Sequence, residues 1–156
     1  MTLRDGHSGD LSRDAGFFDL LTQSHQRVVG RPLVPEGHDA GWLYEAAPFA
    51  VVAHDTSVDP RFVYANRTAQ ACFEYGLDEF VGLPSRLSAE AEERAARQKL
   101  LEEVTRKGFI ADYRGVRIAR SGRRFWIENA VVWQLIDAQG VYRGQAAAFA
   151  SWRDIA

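Results

Sequence analysis

At 156 residues, 46% hydrophobic and 12% aromatic, the chain suits one domain with a real core and is too apolar for general disorder. Its 19 basic and 21 acidic residues leave a net charge of -2, which offers no basic footprint for nucleic acid. Cys72 stands alone, so no internal disulfide forms; no Cys/His cluster has metal-ligand spacing, and no apolar run approaches the roughly 20 residues that span a bilayer.

Residues 1–12 are rich in Gly, Ser and Asp, which predicts an unstructured N-terminus without the apolar core of a signal peptide. A soluble bacterial cytoplasmic protein is the expected setting. Phe17, Leu20, Leu21 and Val28 fall at helical spacing and predict a helix within residues 13–31, stopped by Gly30-Arg31-Pro32. Residues 32–40 read as a linker, and a domain over residues 40–153 follows. Phe49 to His54 and Arg61 to Ala65 predict a hairpin around Asp59-Pro60. Asn66 is placed to cap a short helix through Phe73, which Gly76 would close in a left-handed conformation; Asp78 to Val81 adds a helical turn.

Ser88 is the expected cap of the longest helix of this region. Glu90, Glu92 and Glu93 sit in its first turns, Arg106 and Lys107 in its last, and Gly108 stands behind them. Ala96, Leu100, Leu101 and Val104 are its expected buried stripe. Three strands follow, Phe109 to Arg120, Arg124 to Ile136 and Tyr142 to Trp152, with turns at Ser121-Gly122 and Ala138-Gln139-Gly140. This order predicts an α+β fold: a five-stranded antiparallel sheet with helices on one face. Phe125 and Ile127 oppose Trp126 and Val132, so both faces are apolar and the second face needs a cover. The N-terminal helix is the first candidate and a dimer partner the second.

The element order resembles the PAS superfamily, and three stretches carry the likeness. They are Glu74 to Gly82 (Glu-Tyr-Gly-Leu-Asp-Glu-Phe-Val-Gly), Ser121-Gly122-Arg123-Arg124-Phe125-Trp126, and Asp137, Gly140 and Gly144 ahead of Arg153-Asp154-Ile155. More narrowly, His54-Asp55, Asp59-Pro60, Tyr64-Ala65-Asn66, Pro84-Ser85-Arg86, Trp133 and Gly144-Gln145-Ala146-Ala147 resemble the MEKHLA domain. That domain occurs alone in bacterial proteins and at the C-terminus of plant homeodomain leucine-zipper factors. No homeodomain or zipper is expected here, so the stand-alone bacterial form is the resemblance implied.

Comparison with the flavin-binding light-oxygen-voltage class of PAS domains puts Ser85 where that class has its photoactive cysteine, which argues against covalent flavin photochemistry. Arg117 and Ile127 fall where that class grips the flavin ring with asparagines, and Phe149 near its glutamine. Haem is not expected either, since residues 89–107 contain no histidine. The cofactor is left unassigned. By the same comparison Val52 and His54 face a pocket, as do Arg117, Ile127, Asn129, Val131 and Trp133 and then Gln145, Ala147 and Phe149, given alternation along strands. Cys72, Phe73 and Arg86 approach from the helices.

The candidate ligand-binding residues are therefore His54, Arg86, Arg117, Asn129, Trp133, Gln145, Val52, Cys72, Ile127 and Phe149. Each polar member has a structural reading beside the binding one. Arg117 could pair with Glu128 or Asp112, Arg86 with an acidic side chain, and His54 could be a satisfied core histidine. Two arginines and two amides inside an apolar cavity point to a small anionic or acceptor-rich ligand, because guanidinium suits carboxylate or phosphate. The expected function is a small-molecule sensor. The alternative is a protein-interaction module with a filled cavity, acting as a homodimer or through a separate signalling partner. Ser85, His54 and Asp55 offer the residue types of a hydrolase but not its alignment, so no enzyme, nucleic acid or membrane role is expected.

Overall fold

The computed structural model describes residues 10–155. The stretch expected to be unstructured therefore lies mostly outside the described residues; Leu11, at its end, is buried. Helix α1 spans Ala15–Val29. Asp14 caps it by accepting from the Phe17 amide (2.7 Å), and Gly30 closes it at φ 88°. A six-residue helix that periodicity cannot detect, α2 (Ala40–Glu45), follows the linker and buries Leu43 and Tyr44.

Strands β1 (Ala50–His54) and β2 (Phe62–Ala65) form the expected hairpin, and α3 (Arg67–Phe73) and α4 (Leu77–Phe80) come next. Asn66 does more than cap α3. Its Oδ1 accepts from the Ala69 and Val51 amides, while its Nδ2 donates to the Leu43 and Phe49 carbonyls. One buried amide thus fastens α2, β1 and α3 together. The left-handed residue that closes α3 is Glu74 (φ 65°), not Gly76, which instead precedes α4.

The long helix starts later than expected. Two 3-10 turns, Ser85–Ser88 and Ala91–Glu93, precede α5 (Arg94–Lys107). Ser88 caps nothing, because its hydroxyl donates to the Ser85 carbonyl (2.8 Å). The inward stripe of α5 is Arg97, Leu100 and Val104, with Ala96 exposed and Leu101 half-buried.

Strands β3 (Phe109–Ile118), β4 (Arg124–Ile136), β5 (Tyr142–Phe149) and β6 (Ser151–Asp154) complete an antiparallel sheet of order β2-β1-β5-β4-β3. The expected fifth strand is split at Ala150. Both pieces pair with β4 in one register, Val131 with Ala148 and Glu128 with Ser151. That split is part of a crease across three strands. Successive side chains on the α5 side step from Ile110 to Tyr113, from Ile127 to Ala130 and from Phe149 to Trp152, three residues instead of two. Asp112 (φ 57°) and Asn129 (φ 53°) absorb the extra residue in β3 and β4.

The other face of the sheet lies under α1, as expected. Phe17 and Leu21 pack there with Val51, Trp133, Leu135 and Ala146. The Ser24 hydroxyl donates to the Ile136 carbonyl (3.0 Å) and accepts from the Ile136 amide (2.9 Å), so it completes the β4 edge. Trp133 Nε1 donates to the Leu21 carbonyl.

Candidate ligand-binding site

Between the sheet and α5 lies a chamber of about 50 Å³. Val52, Phe62, Phe73, Leu100, Ile127, Val132 and Phe149 give it apolar walls; Arg97, Arg117, Tyr113, His54 and Gln145 give it polar groups. The walls follow from strand alternation on each side of the crease.

At one end sit two buried cations. Arg97 is 8% exposed and donates from Nη2 to Ser85 Oγ (2.8 Å). Burial, followed by the neighbouring Arg117 charge, lowers its pKa to about 10, which leaves it charged at neutral pH. Arg117 is equally buried and donates to the Val116 carbonyl (2.8 Å) and to Tyr113 Oη (3.3 Å). Among the described residues neither guanidinium pairs with a carboxylate: of the two partners expected for Arg117, Asp112 makes no ion pair with it and Glu128 holds Arg114 and Arg153 instead. Gly115 makes the arrangement possible. A Cβ there would fall 2.2 Å from Tyr113 Oη and 3.0 Å from Arg117 Nη1.

At the other end sit two unsatisfied acceptors. His54 Nδ1 lies 3.1 Å from the Asp55 carbonyl, which can only accept, so that nitrogen carries the proton. Nε2 is left with a lone pair, buried and without a partner among the described residues. Burial lowers the His54 pKa to about 4; the Asp55 hydrogen bond opposes the shift and the Arg97 charge adds to it. The imidazole is neutral at pH 7. Gln145 Nε2 donates to the Leu101 carbonyl (3.2 Å) and Thr105 Oγ1 (3.1 Å), and the carbonyl fixes which way the amide points. Its Oε1 is buried and, among the described residues, unpartnered.

Gly144 brings the two acceptors side by side. At φ 134°, with a would-be Cβ 2.0 Å from the His54 carbonyl, only glycine lets β5 approach β1 with Gln145 opposite His54. Asp55 takes no part, because its carboxylate accepts from the Ser57 and Arg61 amides in the β1–β2 turn. His54, Leu101 and Gln145 also border an open groove of about 300 Å³, rimmed by Val58, Thr105 and Tyr142. Those three side chains form the partition between chamber and solvent.

Six of the ten candidate residues line the chamber: Val52, His54, Arg117, Ile127, Gln145 and Phe149. Four do not. Arg86 is half-exposed and pairs with Asp59 (3.2 Å). Cys72 is buried in the apolar cluster, where burial pushes its thiol up to about 12. Asn129 lies in the crease and Trp133 beyond it, which turns them, with Val131, to the α1 side: Asn129 is exposed, and Trp133 is buried edge-on to His25. Arg97 was missed, although it falls three and seven residues before Leu100 and Val104, the helical spacing that marks a buried face.

Among the described residues no group of three His, Cys, Asp or Glu side chains could hold a metal ion, and no helix is long and apolar enough to cross a membrane. The sequence matches the MEKHLA domain over residues 15–154. No curated protein sequence matches it. The fold is similar to the PAS domain of a protein from Colwellia psychrerythraea, with 15% identity and a TM-score of 0.60 over 72% of this chain and 90% of that one. It is also similar to the blue-light photoreceptor Aureochrome1 LOV (22% identity, TM-score 0.54, 69% of this chain and 75% of that one). The blue-light photoreceptor Vivid matches over 87% of this chain and 94% of its own, with 15% identity and a TM-score of 0.55.

Proposed function

The chain belongs to the MEKHLA domain family, and from that premise we propose that it is a sensor module whose chamber takes a small anion. One observation carries the reading: Arg97 and Arg117 are both buried, repel each other and have no carboxylate partner among the described residues. Buried charge without a counter-charge is costly, and an anion between the two guanidiniums would offset that cost. The alternative of a module with a filled cavity explains the chamber's small size but not its unpaired cations.

A flavin of the light-oxygen-voltage kind does not fit. Sites for ligands of that size are on the order of 300–1,000 Å³, against about 50 Å³ here. Ser85 stands at the cysteine position and its hydroxyl is engaged by Arg97.

Thermal unfolding in sodium formate, acetate and propionate, against sodium chloride at equal ionic strength, tests the reading. At least one carboxylate should raise the Tm in a saturable way. Arg117→Leu should lose that response. Arg97→Met should lose it too, yet unfold at a higher temperature than the native chain without added anion, because one of two like charges is gone. A response that survives Arg117→Leu would sink the proposal.

A further inference from the structure

The chamber has two chemically opposite ends. Arg97, Arg117 and Tyr113 supply donors at one; His54 Nε2 and Gln145 Oε1 supply only acceptors at the other. Building on the anion reading, we propose that the ligand is a short hydroxycarboxylate, its carboxylate held by Arg97 and Arg117 and its hydroxyl donated to the His54–Gln145 pair.

The acceptor assignments are set by neighbours and not by convenience. The Asp55 carbonyl claims the proton of the imidazole and the Leu101 carbonyl claims the amino side of the amide. The amide cannot turn round without facing oxygen to oxygen, and the imidazole cannot move its proton to Nε2 without facing lone pair to lone pair. Both are more than nine-tenths buried, and neither lone pair has a partner among the described residues. A plain carboxylate would leave both acceptors unpaired, and a site with unpaired buried polar groups discriminates strongly against the analogue that lacks the hydroxyl. An ammonium donor would meet the field of two guanidiniums close by; the Arg97 charge already disfavours a proton on His54. A hydroxyl donates without adding positive charge.

Size points the same way. A water needs roughly 10–15 Å³ of such space, so a chamber of about 50 Å³ suits a molecule on the order of four to six heavy atoms. Glycolate and lactate have that size and the required two ends. The groove beyond the partition gives a route inward: it is bordered by Thr105, whose hydroxyl accepts one of the Gln145 hydrogen bonds.

Isothermal titration of the native chain with L-lactate, D-lactate, propionate and L-alanine reads the proposal. One lactate enantiomer should bind at least about tenfold tighter than propionate, and alanine should bind more weakly than either. In Gln145→Leu the advantage of lactate over propionate should disappear while propionate still binds. Should that variant not fold, the comparison on the native chain decides alone. Lactate no tighter than propionate would overturn the hydroxyl assignment and leave the anion reading standing. Alanine tighter than lactate would replace the hydroxyl by an ammonium and likewise overturn it. If none of the four binds above the effect of sodium chloride, the anion reading falls and the inference with it.

Discussion

The two faces of the sheet are built from the same strands and solve the polar-group problem in opposite ways. Under α1, Ser24 takes up both backbone groups of Ile136, Trp133 donates to Leu21, and His25 Nδ1 meets the Arg31 carbonyl (2.8 Å). The Tyr64 hydroxyl is the exception on that face. Under α5, among the described residues, two buried cations make no ion pair with a carboxylate and two acceptors lack donors. The first face is arranged for stability. The second carries a deficit that a bound molecule would correct, as expected where a fold gives up some stability for a site.

The contrast can be broken from either side. The largest effect belongs to the outer face: Trp133→Ala should destabilise by about 3–5 kcal/mol in denaturant unfolding, because a fully buried indole leaves a cavity. Its anion response should persist. A variant that folds well and loses the response would place Trp133 in the site after all.

The next largest effect is acid sensitivity from the inner face. The unfolded chain protonates His54 near pH 6.5 and the folded chain only near 4. Between these values the unfolded state binds more protons, so the stability His54 contributes is complete above pH 6.5 and lost as pH falls. The loss amounts to about 3 kcal/mol. His25 is shifted down by burial as well, in the same direction, so the comparison to make is native against His54→Leu across pH 7 to 4. A variant with an unchanged pH slope would refute the buried neutral imidazole.

The smallest is Ser24→Ala, which removes one hydroxyl but leaves the Ile136 amide without the partner it has now. A loss of about 1–3 kcal/mol is expected. Urea titration reads it directly, and a change below a few tenths would mean that water replaces the hydroxyl.

Much of this was legible without coordinates. Asp14 and Gly30 bound α1, the two hairpin turns set β3 to β5, and apolar residues on both faces of β4 demanded a second layer. These are local matters of capping, turn geometry and period, and a sequence carries them. Six of the ten candidate site residues followed from the resemblance to the light-oxygen-voltage class carried along the strands by alternation. Alternation then failed at one place for one reason. The crease at Asp112, Asn129 and Ala150 inserts a residue in three neighbouring strands, and no local signal announces a non-glycine at positive φ. That step sent Trp133 and Asn129 to the far face. Arg97 shares the α5 face of Leu100 and Val104, a phase legible in the sequence, but only the tertiary structure sets it against Ser85 and Arg117. Apart from α2 and the split of the last strand, the elements and their order were thus legible in the chain itself. Which cations are buried, and which acceptors share the chamber with them, was decided only where α5 packs on the sheet and strands distant in sequence, such as β1 and β5, come into register.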